Sequence, residues 1–433
     1  MIQEWTVKPR VDKPAYFTGA YLDYTNDDIE WVARQFQIFG AVVVAPFPGR
    51  GNINLHTYSV LAGGGEYLLQ KVNSEVFTLP YRVMKTMIAS INAQEAGKAA
   101  GLCDELWESI ELIPTRDGQP FLDLTDEHGW SVWRLMVLIP SSASFKSLAD
   151  VGDREDQLAL AVQVGRGLAT YADLTASIDQ TNLPGSLPGY RDTAHYYRMF
   201  HAVTADCRTA AEAEPFMPES EELRTSTAKL FLVAAEESEF QARLNDSQLR
   251  PYIELIRREE RGAMALWEAV RSGQIRPSVI HGDPKIENFL FCSHTLRVKA
   301  LVDLDTIMPF TWLADFGDMT RSLVNVAGEK ERDLDKVKID REVFEAVASG
   351  FLATAKKLTD AEAALLVPAI LILTLELAIR FLTDYLRGDV YFQLTPTDPP
   401  DLNRVRALVQ LVLYERFVEF APEAEAILAR LRA

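Results

Sequence analysis

Residues 281–288 read HGDPKIEN, a polar run set between the apolar stretches "SVI" and "FLFC". Polar groups drawn toward a core need partners or a purpose, and these residue types suit one chemistry. Asp283 is a carboxylate that can accept a proton from an attacking hydroxyl. Asn288 offers an amide oxygen one loop's reach away, and Asp303 offers a second carboxylate just after "KALV". A hairpin between them brings Asp303 back beside the loop. Amide and carboxylate oxygens are hard ligands suited to Mg2+, which keeps several waters and takes other oxygens from phosphates. Lys285 can neutralise phosphate charge. These are the parts for phosphoryl transfer, in which a protein mainly positions groups and offsets charge. Asp283 and Lys285 are therefore candidate catalytic residues, and Asn288 and Asp303 candidate metal ligands.

The spacing sharpens this reading. Kinase-like catalytic loops run H-x-D-x-x-x-x-N, with a metal-binding Asp leading off the next strand pair, and "HGDPKIEN" fits each named position. His281 reads as a structural hydrogen-bonder and Glu287 as an exposed or capping residue. A literal Asp315-Phe316-Gly317 lies further on, but no apolar strand leads into it. The metal role therefore goes to Asp303, and Asp315 and Asp318 read as ties between a following helix and the loop. Upstream, "PGRGNIN" lies between two strand-like segments, so Gly49, Gly51 and Asn52 are candidates for a phosphate-covering loop, with an ordinary hairpin turn as the other reading.

These groups must be held by elements that the pattern also indicates. "TNDDIEWVARQFQIFG" has acids in its first turn and ends on Gly40, as a helix would. "AVVVAPF", "HTYSVLA" and "EYLLQKVN" are short, β-branched and separated by turn residues, which predicts an antiparallel meander of three strands. A helix follows from "FTLPYRV", then a strand, "WSVWRLMVLI". Beyond about residue 150 the pattern is helical, except around the loop, where "SVI", "FLFC" and "VKALVDLDTI" read as strands. The expected fold class is α+β: a small antiparallel-sheet N-lobe over residues 1–139 and a larger, mostly helical C-lobe over 140–433.

Composition sets outer limits. A net charge of −18 argues against non-specific binding to nucleic acid or to anionic membranes, so a polyanionic ligand needs a local cation cluster, a metal, or both. The N-terminal "MIQEWTVKPR" has no signal-type apolar core, and "LLVPAILILTL" reads as a buried helix rather than a span. The 3 cysteines form no CxxC pair. A cytoplasmic protein with no nucleic-acid or membrane partner is expected; composition leaves the oligomeric state open.

"HGDPKIENFLF" and "ALVDLDTIMPFTWLADFGDMTRS" together resemble the aminoglycoside phosphotransferase family, which shares the bilobal protein-kinase-like fold. Within it the chain looks most like the N-acetylhexosamine 1-kinases, above all in "LELAIRFLTDYLRGDVYF" at residues 375–392. The resemblance implies an ATP- and Mg2+-dependent sugar kinase acting on a hexosamine or related sugar at its anomeric hydroxyl. It makes Asp283 the base, Asn288 and Asp303 the Mg2+ ligands, and Arg380 and Tyr391 contacts to the sugar. An ion pair from Arg380 to Glu376 is the alternative for Arg380. Two departures stand out. Asn52 replaces a usual His, and the usual lysine slot on the third strand falls on Gln70 with Lys71 next to it, so either is a candidate nucleotide contact. ATP's adenine is expected against "RLMVLIPSS". The rivals are a kinase of another hydroxyl compound (an aminoglycoside, an amino alcohol or a hexose) and a non-catalytic nucleotide-binding module.

Overall fold

A computed structural model describes residues 11–12, 24–48, 53–126, 129–395 and 397–433. The predicted meander is present: Val42–Pro46, Thr57–Ala62 and Gly65–Lys71 pair antiparallel in sequence order. Gly65–Lys71 pairs in turn with Gly129–Val137, the predicted "WSVWRLMV" strand. Three short strands lie outside the predicted elements: L-D-L-T alternates in one, and the other two, of two residues each, are too short to carry a pattern. Leu122–Asp126 pairs with Gly129–Val137, Val11–Asp12 extends that edge in parallel, and Leu112–Ile113 adds to the same strand.

Alternation divides this sheet into two faces. Leu69, Trp133 and Leu135 point outward and pack with Ile29, Val32 and Phe36. Val132 and Met136 point inward, to the same core as Met84 and Met87, both of which lie on the helix Pro80–Ala99. The first helix spans only Asn26–Ala33, started by a Thr25–Asp28 capping box. It stops well short of Gly40 because tertiary pairing takes over: Phe36 bridges to Thr115, and the Gln37 N–H donates to the Pro114 carbonyl at 2.8 Å.

In the helical part, Ser278–Ile280 pairs with Met308–Phe310, and Phe289–Cys292 forms a hairpin with Val298–Leu301. Ser142–Ala143 pairs with Phe289–Cys292 and so ties the chain leaving the first lobe to the loop hairpin. The predicted strand "VKALVDLDTI" is interrupted: it ends at Leu301, and a single turn of tighter helix, Leu304–Thr306, follows. The apolar run at 365–375 opens a helix, Leu366–Arg387, that is long and apolar enough to cross a membrane; 83% of its most apolar window is buried inside the fold, which makes it a core element.

Candidate active site

The hairpin 289–301 places the two halves of the site together. Phe289 sits opposite Leu301, and the Val302 N–H donates to the Asn288 carbonyl at 2.8 Å, so Asp303 follows directly beside the loop. Asp303 itself adopts φ +63°, a left-handed conformation uncommon in a non-glycine residue and most tolerated by Asp and Asn.

Within the loop each group has a defined place. The Asn288 Nδ2 donates to the Asp283 carbonyl at 2.8 Å, which turns its amide oxygen into the end that remains for a ligand. Lys285 Nζ lies 3.3 Å from Asp283 Oδ2 and 2.8 Å from Glu287 Oε1, with Glu287 exposed. The paired carboxylates hold the half-exposed Lys285 ammonium charged. His281 is an anchor: its Nδ1 accepts the Asp283 N–H at 3.3 Å, so the other nitrogen, Nε2, donates to the Val302 carbonyl at 2.8 Å. Burial lowers its pKa, which keeps the ring neutral for that role.

Asp315 lies in the helix Trp312–Val324, and its two carboxylate oxygens accept the N–H groups of His281 and Gly282 at 2.6 and 2.9 Å. Asp318, one turn on, pairs with Arg191 and Arg321. Arg191 and Tyr190 carry no motif signal, yet both donate to the Gly282 carbonyl at 2.7 Å. The loop peptide is thus gripped on both edges, by a carboxylate on one side and by a phenol and a guanidinium on the other.

Asp303 is exposed where it leaves the hairpin. Although its side chain is exposed, the surrounding protein bulk, with Asp305 and Asp283 nearby, pushes its carboxyl up to about 7. Asp283, Asp303 and Asp305 gather there against the cations Lys285 and Arg134, and the donor set of Asn288 amide oxygen and Asp303 carboxylate suits a hard divalent cation. Among the described residues no group of three or more His, Cys, Asp or Glu side chains is placed to hold a metal ion by itself.

A second group of residues flanks the loop. Arg380 lies 5.1 to 5.6 Å from the ring centres of Tyr190, Tyr196, Tyr391 and Phe392. The expected alternative, an Arg380–Glu376 ion pair, is not formed: Glu376 hydrogen-bonds Thr193 and faces Arg191 at 3.8 Å. The "TDYLRGDVYF" stretch explains the box. Gly388 ends the helix at φ +107°, where a Cβ would lie 2.7 Å from the Ala235 nitrogen. Asp384 then accepts the N–H groups of Val390, Tyr391 and Phe392 at 3.1, 2.8 and 2.8 Å, folding both aromatic rings back over Arg380.

Gly49, Gly51 and Asn52 lie outside the described residues. Gln70 and Lys71 part company across the sheet. Gln70 faces inward and receives Arg134 Nε at 3.0 Å. Lys71 points to the outer face, where its Nζ lies 2.9 Å from the Tyr24 hydroxyl. On the inward face Val43 and Leu61 are cross-strand partners, 59% and 49% exposed, an exposed apolar pair.

Residues 47–335 match the model of the phosphotransferase enzyme family. Among solved structures the chain is similar to a microcompartment-associated aminopropanol kinase, with 13% identity, a TM-score of 0.54, and 92% of this chain and 98% of that chain covered. It is also similar to a putative aminoglycoside phosphotransferase from Ralstonia eutropha, with 13% identity, a TM-score of 0.50, and coverage of 90% and 96%. At such identity the likeness is one of fold, and the fold is bilobal and protein-kinase-like.

Proposed function

This chain belongs to the phosphotransferase enzyme family, and from that premise we propose that it phosphorylates a hexosamine or related sugar at the anomeric hydroxyl. The coarser activity is that of an ATP-dependent small-molecule kinase. For the reaction we assign Asp283 as the group that takes the proton of the acceptor hydroxyl. The oxygen then forms its bond to the γ-phosphorus, the bond to the β-phosphate oxygen breaks, and ADP leaves. Lys285, poised between Asp283 and Glu287, offsets charge at the transferring group. Asn288 and Asp303 would hold Mg2+, whose contribution when bound is to neutralise the phosphate oxygens. Val43 and Leu61 would cover adenine, with residues 134–142 along its edge.

The observation that carries the acceptor reading is Arg380. Its guanidinium has aromatic faces around it and makes no hydrogen bond or ion pair with another described residue. Five N–H donors beside the catalytic loop favour an acceptor rich in oxygen, such as sugar hydroxyls or an N-acetyl carbonyl. An aromatic box of this kind suits an ammonium group too, which would speak for an amino alcohol or an aminoglycoside; here the box already contains a cation, so a second one is disfavoured. The anomeric hydroxyl is the most acidic on a reducing sugar and is the easiest for a carboxylate to deprotonate.

A coupled ADP-release screen over N-acetylhexosamines, hexoses, amino alcohols and aminoglycosides tests the reading. A free N-acetylhexosamine should turn over best, and its methyl glycoside should be inert. Faster turnover of an amino alcohol, or phosphorylation of the methyl glycoside at a comparable rate, would overturn it.

A further inference from the structure

Kinase-like folds normally place a lysine on the third strand and pair it with a glutamate of the helix beneath the sheet; that pair must be formed for nucleotide phosphates to be held. Among the described residues neither partner occupies that place. The lysine slot on the inward face is Gln70, and Lys71 is turned to the other face, beside Tyr24. The helix Pro80–Ala99 has one acid, Glu95, which is exposed and occupied by Ser109 and Lys98. The helix instead meets the site through Met87, whose sulfur lies 3.3 Å from Arg134 Nη1.

What stands in the gap is an ion pair built from different elements. Arg134, on the strand next to Gln70, is 2% exposed and lies 2.5 Å from Asp305, which is 3% exposed. Gln70 Oε1 accepts both Nε and Nη2 of Arg134 and fixes the plane of its fork. The second oxygen of Asp305 accepts the Asn54 Nδ2 at 2.6 Å, and Asn54 Oδ1 accepts the Asn73 N–H at 2.9 Å. Asp305 belongs to the turn Leu304–Thr306, two residues beyond Asp303. A buried ion pair is retained at a cost in desolvation, and losing one partner leaves the other charged and unpaired.

We propose that the Arg134–Asp305 pair replaces the missing lysine–glutamate pair, with Arg134 as a positioning residue that sets Asp303 from across the cleft. The acid now comes from the second lobe, so the pair joins the lobes directly and assembles the metal-binding turn only when they are together. Arg134 acts through Asp305, and Gln70 is kept because it orients the fork. The inference rests on the kinase reading of the site, and it makes a distinct claim: the gain in nucleotide affinity that Mg2+ brings depends on Arg134.

Calorimetry with ADP, in Mg2+ and in EDTA, measures that gain as a ratio of affinities. Arg134→Met should cut the ratio at least tenfold while metal-free ADP affinity changes less than threefold. Arg134→Lys, which keeps the charge but cannot fork between Gln70 and Asp305, should restore part of it, and Gln70→Met should lower it by a smaller factor. If Arg134→Met does not fold, Arg134→Lys and Gln70→Met carry the test. An unchanged ratio in the folded variants, whatever their melting temperatures, would reduce Arg134 to a packing role and overturn the inference. Failure of the wild-type protein to bind ADP with Mg2+ would instead bring down the kinase reading.

Discussion

Replacing Gly282 by alanine perturbs the loop at the point where it is held most firmly. Gly282 has φ +88°, and a Cβ built there would lie 2.5 Å from the Thr306 carbonyl oxygen and 3.1 Å from Thr306 Cβ. The left-handed conformation costs a residue with a side chain about 1–2 kcal/mol. The peptide cannot rotate away, because Asp315 holds its N–H while Tyr190 and Arg191 hold its carbonyl. The turn that carries Thr306 must therefore yield by at least ~0.5 Å, a contact penalty of about 1–3 kcal/mol. Together the loss is about 2–5 kcal/mol of stability, and the displacement falls between Asp283 and Asp303. Misplacement of ~1 Å costs on the order of 100-fold in rate, so kcat should drop by roughly tenfold or more. Gly282→Asn separates the two contributions. Asparagine tolerates the left-handed region but brings the same Cβ, so it should recover the backbone part only and fall between wild type and Gly282→Ala. Turnover by coupled ADP release and unfolding midpoints for all three proteins decide the matter. An alanine variant within twofold of wild-type kcat, with an unshifted midpoint, would refute this account of the loop.

Other substitutions divide the assigned roles. Asp283→Asn should lower kcat by orders of magnitude and leave MgADP affinity within a few-fold, since proton acceptance is lost and positioning survives; near wild-type turnover would remove Asp283 from the base role. Asp303→Ala should weaken MgADP binding as well as turnover, and calorimetry that finds unchanged affinity would count against it as a metal ligand. Arg380→Ala should raise KM for the acceptor far more than KM for ATP; equal effects on both, with a lower melting temperature, would make Arg380 structural.

The loop hairpin was legible because two short apolar runs joined by a short connection favour the pairing of Phe289–Cys292 with Val298–Leu301. The element that carries Asp315-Phe316-Gly317 was legible for the converse reason: no apolar strand leads into it, and it lies in a helix. Arg191 and Tyr190 were not legible. They reach Gly282 from 91 and 92 residues away, and Arg191 does so from a left-handed backbone at φ +56° that no local residue pattern announces. The end of the first helix was not legible because Phe36 fits the helical period equally well; its bridge to Thr115 and the Gln37–Pro114 hydrogen bond are tertiary.

The choice between Gln70 and Lys71 shows where a sequence ceases to decide. Adjacent strand residues face opposite ways, so the question is one of register, and register here is set by partners: Gln70 opposite Thr57 on one side and Arg134 on the other. Lysine beside a Tyr24 ring and hydroxyl is stable on the outer face, which removes the drive for it to turn inward. The inward slot then keeps a neutral amide whose oxygen can orient a guanidinium from the next strand. A positive charge therefore still lies at the inner face of the sheet, supplied by Arg134, and its counter-charge has moved from the helix to the turn beside Asp303. If the charge at that point is what matters, the identity of the strand that supplies it is free to vary, and a search for the lysine alone would have judged the site incomplete.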